Sequence, residues 1–266
     1  MIRPTRRWLW GIGALILLTA MASRLDFSGG EIDLSQRLNG PSWDHFLGTD
    51  GLGRDQLSRL ITGGSISIGV ATLSLISTGL VGTGLGVWAG WLGGRASSLL
   101  TAVTDTLVAI PTVVVAIVVV SVLRPGILGI IAAMTVTGWL PFARLALRLT
   151  AQEVQMEYVE AARFAEAGTT RVLANTVWPN ISRPLLAHGV LRFPTKLMTF
   201  SGLSFLGLGP QPPTPEWGAM LAQGVAEIER TPLLVIAPGS CIVLSGLVVA
   251  VFGRRLENRT ASPSKI

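Results

Sequence analysis

One cysteine and two histidines in 266 residues leave little room for several kinds of chemistry. Cys241 alone can form no internal disulfide, so cysteine says nothing of a redox compartment. His45 and His188 lie far apart and outside any Cys/His spacing, so no metal-ligand cluster is expected. No Gly-Lys-Ser/Thr triplet follows the glycine-rich runs, which excludes a phosphate-cradling loop. Paired carboxylates and a nucleophile beside a base are missing as well. Asp105 is the one carboxylate inside an apolar run, which argues against a membrane-embedded hydrolase or lipid transferase. The net charge of +6 comes without a basic stripe interleaved with aromatics, so nucleic acid is not an expected partner.

Charge itself is sparse. Charged residues make up 14% of the chain and the mean hydropathy is +0.57, values that argue against a soluble protein. About 20 apolar residues span a bilayer. Charge-free runs lie between Arg59 and Arg95, Asp105 and Arg124, Arg124 and Arg144, Lys196 and Glu216, and Arg230 and Arg254, and another follows Arg7. Helical reading places six spans near 8–23, 66–90, 101–123, 126–147, 185–207 and 234–253. The expected architecture is an all-α integral membrane protein. It is a single transmembrane domain over 1–266, with an extracytoplasmic segment at 24–65, a cytosolic loop at 150–183 and a flexible cytosolic tail at 256–266.

Six spans put both termini on one side. If that side is the cytoplasm, thirteen Lys and Arg lie inside and six outside, with Arg192 and Lys196 unassigned within the fifth span. The excess of basic residues favours cytoplasmic termini. Arg6 and Arg7, a short apolar run and Ala20-Met21-Ala22 also fit a cleaved signal peptide, which would leave five spans. The loop at 150–183 is cytosolic in either case.

Gly79, Gly82, Gly84, Gly86 and Gly90 crowd the second span, with two Gly-x-x-x-Gly spacings. In lipid such glycines let helix backbones approach closely, so ordinary packing is their expected role. Pro111, Pro125, Pro141, Pro184, Pro194 and Pro238 sit in or near span ends, where proline kinks a helix or marks its boundary.

Three stretches stand out. The first is a charged island from Tyr158 to Asn180. Glu153, Glu157 and Glu160 are four and three residues apart and can share one helical face, and Arg163 follows Glu160 by three. Gly168 tolerates the positive φ of a helix end, and Pro179 should stop a second helix. The expectation is a helix-turn-helix between spans four and five that docks a cytosolic partner; a plain solvated loop is the alternative. The second stretch is His45-Phe46-Leu47-Gly48-Thr49-Asp50-Gly51-Leu52-Gly53-Arg54-Asp55, whose aspartates can bond nearby backbone amides in turns. The third is Gly202-Leu203-Ser204-Phe205-Leu206-Gly207-Leu208-Gly209, which ends the fifth span, followed by Gln211-Pro212-Pro213-Thr214-Pro215-Glu216-Trp217-Gly218, which forms a rigid outer loop.

Glu160-Ala161-Ala162 and the hairpin after it resemble the Glu-Ala-Ala loop of importer permeases, the inner-membrane subunits driven by separate ATPases. Gly48-Thr49-Asp50 and Gly53-Arg54-Asp55, ahead of Ser65-Ile66-Ser67-Ile68-Gly69, look like the signature of peptide and nickel permeases. With the third stretch, the chain from about Ile32 to Arg255 resembles the C-type permease subunit of dipeptide, oligopeptide and nickel importers. Ile32-Asp33-Leu34 with Gln36-Arg37-Leu38, and Ser201-Gly202-Leu203, look closer to nickel-type members. Nickel or a metal chelate is therefore the expected cargo, and peptides are the alternative.

The resemblance implies a bacterial inner-membrane location and a heterodimer with a second, homologous permease subunit. It further implies two cytosolic ATPases that use ATP and Mg, an extracytoplasmic substrate-binding protein, and no cofactor on this chain. It implies that Glu157, Glu160, Ala161, Ala162, Glu166, Gly168 and Pro179 couple to the ATPases. Asp50, Arg54, Asp55, Pro212, Pro213, Glu216 and Trp217 would dock the binding protein or plug the outer mouth. Asp105, Arg192, Lys196 and Met198 would lie on the translocation path. A pure scaffold subunit is a further possibility, which loss of uptake on deletion would exclude.

The chain departs from the family at three places. The usual loop glycine, six residues after the Glu, is Glu166, so Gly168 would carry the turn two residues later. Arg192 and Lys196 stand four apart where many relatives are apolar. Charge in lipid is costly, so they should face the bundle interior, water or the cytoplasmic interface, meeting an anionic substrate or simply snorkelling. The tail after Arg255 is short and polar. Asp105, six residues before Pro111 as in the family, is expected at a helix start satisfied by the helix N-terminus.

Overall fold

A computed structural model describes residues 32–165 and 168–260. The first expected span at 8–23 and its alternative cleavage site lie outside the described residues, as do Glu166 and the end of the tail. The regular elements among the described residues are helices: α1 (Gln56–Leu92), α2 (Gly94–Val108), α3 (Thr112–Leu123), α4 (Ile127–Gly138), α5 (Leu140–Glu153), α6 (Glu157–Phe164), α7 (Thr169–Val172), α8 (Trp178–Phe205), α9 (Trp217–Val225) and α10 (Leu233–Thr260). A π-helical turn, Leu173–Val177, joins α7 to α8.

Two helices, α1 and the Leu233–Arg255 stretch of α10, are long and apolar enough to cross a bilayer. The pairs α2 with α3, bent by 91°, and α4 with α5, bent by 42°, raise the number to four if each is one broken span. Proline explains the sharper break: Pro111 disfavours helical backbone at Ile110 and removes an N–H where α3 begins. Pro141 sits in the first turn of α5, where its missing N–H has no partner to lose. The fifth expected span corresponds to α8, which is not in this set and carries Arg183, Arg192 and Lys196. The expected flexible tail is helical at its start, because α10 continues to Thr260.

The described residues cluster into two compact units. One contains the residues up to Leu73, Val120–Ile131 and Pro194–Val248, and the other Ser74–Val119, Ala132–Phe193 and the residues from Val249. In the first unit α8 ends as its sequence predicts. Gly207 adopts φ +82°, its N–H bonds to the Ser204 carbonyl, and Leu208 N–H bonds to the Leu203 carbonyl, a double closure of the last turn that needs a residue without Cβ strain. In the second unit the glycines of α1 act as expected. A Cβ on Gly82, Gly86 or Gly90 would collide with the carbonyl oxygens of Trp139, Ala143 and Leu147 respectively. One face of α1 thus lies directly on the backbone of α5, with one glycine per helical turn.

Candidate functional site

The charged island is built in the second unit from α6, α7 and the start of α8. Met156 takes an extended conformation (φ −76°, ψ 138°), which ends α5 and starts α6 afresh. Glu153 and Glu157 therefore belong to different helices and do not share the single face expected of them. Glu157 and Glu160 occupy the first turn of α6 and Arg163 the last, which suits the helix dipole at both ends. Glu153 instead accepts a hydrogen bond from the Asn180 side-chain amide at 2.6 Å, and the same amide lies 2.9 Å from the Tyr158 hydroxyl.

Gly168 and Pro179 also act differently from expectation. Gly168 has φ −58° and ψ 149°, so it leads into α7 as extended backbone rather than closing α6 with positive φ. Pro179 stops nothing, because it is the second residue of α8. The π-helical turn just before it has widened the backbone, which relieves the clash between a proline ring and the carbonyl four residues earlier.

The island is rooted by apolar packing. Val159, Val172, Val177, Ile181 and Leu185 form a buried cluster with Ala146, and Val87, Trp91, Leu149 and Ala162 pack against it. Of the expected coupling residues, Glu157, Glu160, Ala161, Gly168 and Pro179 are exposed, and Ala162 is half-buried on that cluster. Phe164 was not singled out in the sequence, yet it is 79% exposed at the end of α6, with Met156, Tyr158 and Trp178 also exposed. The available signal is their grouping: Met156, Tyr158, Phe164 and Trp178 put four large apolar side chains into a charged stretch, and exposed apolar groups that gather rather than scatter mark interaction surfaces.

In the first unit the segment ahead of α1 closes on buried charge. The Asp50 carboxylate accepts the backbone N–H groups of Leu52 (2.8 Å) and Arg54 (3.0 Å), the turn chemistry expected of it. It also accepts the Arg54 guanidinium at 2.8 Å and pairs with the Arg59 guanidinium, which in turn reaches Gln223 Oε1 at 2.8 Å. Burial pushes the Asp50 carboxyl up, but the bonds from Arg54 and the charge of Arg59 outweigh it and hold the pKa below the ordinary 3.8. Asp55 accepts the Ser58 N–H at 2.7 Å and so caps the start of α1, and its other oxygen meets His45 at 2.9 Å.

The proline-rich loop is locked to the same helix. Glu216 is fully buried, caps α9 through the N–H groups of Gly218 and Ala219, and accepts the Ser67 hydroxyl at 3.0 Å. Trp217 donates its indole N–H to the Leu60 carbonyl at 2.8 Å and stacks over Gly64. Asp50, Arg54, Glu216 and Trp217 are thus internal braces, and Pro212 and Pro213, joined by a cis peptide bond, are exposed.

The residues expected on a translocation path do not form one cluster. Asp105 lies near the C-terminal end of α2, not at a helix start, and its carboxylate pairs with Arg144 at 2.7 Å. Arg192 lines a cavity of about 300 Å³ in the second unit with Arg144, Arg148 and His188. Lys196 is buried and Met198 is exposed, both within the first unit.

Comparison with known proteins bears on what this geometry serves. The family described as "Binding-protein-dependent transport system inner membrane component" matches residues 82–262. A di/tripeptide transport system permease protein of Pseudomonas aeruginosa is 37% identical over 83% of this chain and 75% of its own length. A glutathione transport system permease protein of Pectobacterium atrosepticum is 35% identical, over 84% of this chain and 74% of its own. A dipeptide transport system permease protein of Alkalihalophilus pseudofirmus is 32% identical, over 93% and 82%.

Proposed function

The chain belongs to the family of binding-protein-dependent transport system inner membrane components, and on that footing we propose that it forms half of the translocation path of an ATP-driven peptide importer. The observation that carries the cargo is the naming of its relatives, which are permeases for di- and tripeptides, dipeptides and glutathione. The nickel-type features read at Ile32–Leu38 and Ser201–Leu203 have no counterpart among those names, so peptide replaces nickel as the proposed substrate.

The rest of the assembly follows from the family's mode of work. A second, related permease would complete the path, two cytosolic ATPases would supply ATP and Mg chemistry, and an extracytoplasmic protein would deliver the peptide. Six spans with cytoplasmic termini remain the proposed topology, with α2–α3 and α4–α5 as broken spans and α8 as the fifth. The exposed face of α6 is the proposed seat of an ATPase. Its buried face packs on α1, α5 and α8, so a push on α6 would reach the spans through side-chain contact. That contact supports alternating access, in which closure of the ATPases opens the path outward and hydrolysis resets it.

The test is uptake of a labelled dipeptide and of labelled nickel in cells lacking the chain and in complemented cells. Loss of dipeptide uptake alone, restored by complementation, is the expected result. Loss of nickel uptake alone would overturn the cargo, and survival of both would overturn the transport role.

A further inference from the structure

The second unit holds a basic pocket that the coupling and bracing roles leave unused. Arg144 and Arg148 on α5 and His188 and Arg192 on α8 line a cavity of about 300 Å³, and the remaining lining residues are Val108, Leu140, Pro141 and Leu145. Three guanidinium groups meet one carboxylate there. Among the described residues the acid paired with them is Asp105, 62% exposed and bound to Arg144 alone. Arg148 is exposed and donates to the Arg144 backbone carbonyl at 3.3 Å, and no carboxylate pairs with it among the described residues. The His188 imidazole sits edge-on to Phe142 at 5.2 Å, and its buried Nε2 has no hydrogen-bond partner among the described residues.

Clustered positive charge against apolar walls is unfavourable by itself, and an anion relieves it. A guanidinium binds a carboxylate through parallel N–H bonds, and a low-dielectric wall strengthens that pairing. One of its guanidinium groups, that of Arg144, already holds a carboxylate, Asp105, at 2.7 Å. Its volume lies at the small end of ligand pockets, which suits a solute of two or three residues.

We propose that this pocket receives the terminal carboxylate of the peptide in transit, with Arg148 and Arg192 as the binding groups. The inference rests on the peptide-importer reading above. Asp105 already pairs with Arg144, which leaves Arg148 and Arg192 as the groups open to a further carboxylate.

The test uses the whole transporter, this chain with its partner subunits and without the binding protein, in phosphatidylcholine nanodiscs. Binding of labelled Ala-Ala is compared with that of its C-terminal amide. The free acid is expected to bind about tenfold more tightly, the value of one charge-assisted hydrogen bond. In R192Q and in R148Q that ratio is expected to fall, and in the double variant to reach about one, with R192K retaining more of it than R192Q. Three results would overturn the inference: no preference in the wild type, a variant that weakens acid and amide equally, or phosphatidylglycerol nanodiscs that abolish dipeptide binding and so identify a lipid headgroup as the occupant. Dipeptide uptake in cells separates the two levels. Uptake through this chain without any acid preference in the nanodisc sinks the pocket alone, whereas absent uptake sinks the importer reading and the pocket with it.

Discussion

The guanidinium of Arg163, in the last turn of α6, lies 4.0 Å from the ring centroid of Trp91, the next-to-last residue of α1. The contact pins the charged island to the end of a 37-residue helix by a cation over an aromatic face. Nothing in the spacing of the two residues, which are far apart in the chain, announces it.

Because such contacts are worth about 0.5–1 kcal/mol at accessible sites, a double-mutant cycle on R163A and W91A should return an interaction of about that size. Thermal unfolding of the purified protein reads it. Additive single-mutant losses would mean that the stacking contributes nothing.

Phe164 offers a sharper separation of folding from function. F164D changes a side chain that is 79% exposed, so expression and melting temperature should stay close to wild type. Dipeptide uptake should nonetheless fall to background if α6 seats an ATPase. A variant with full uptake would remove Phe164 from that surface.

The glycines of α1 give an internal control. G86A places a methyl group against the Ala143 carbonyl, an overpacking expected to destabilise by about 1–3 kcal/mol. G84A, two residues away on the same helix, meets nothing within 4 Å and should be neutral within about 0.5 kcal/mol. Equal effects from the two would show that α1 does not lie on α5 as described.

Asp50 makes the segment ahead of α1 acid-sensitive in a defined direction. Its folded pKa is lowered below 3.8, so it adds stability that is complete above that value and lost as pH falls through the lower folded value. The melting temperature should therefore be insensitive to this group between pH 5 and 8 and drop in stronger acid. D50N leaves the buried Arg54 and Arg59 without their anion. It should cost about 3–5 kcal/mol at neutral pH, and its curve should be flatter in acid than that of the wild type.

Much of the fold was legible along the chain. Scarce charge and long apolar runs fixed a helical membrane protein, because backbone polar groups in lipid must be satisfied within each helix. Glycines one turn apart foretold a close helix contact, the stretch from Gly202 to Gly209 the end of α8, and the aspartates at 50 and 55 their turns. Each of these is local chemistry, decided within a few residues of where it acts. Tertiary structure decided the rest. Glu216 and Trp217 look like an exposed loop tip in sequence, yet they are buried braces because Ser67 and Leu60 meet them from about 150 residues away. Pro179 reads as a stop, but the π-helical turn ahead of it lets α8 begin there. Arg144, Arg148, His188 and Arg192 were scattered charges until two helices brought them around one cavity. Packing partners that distant leave no periodic trace, because the sequence records which side chains exist and only the folded chain records what each one faces.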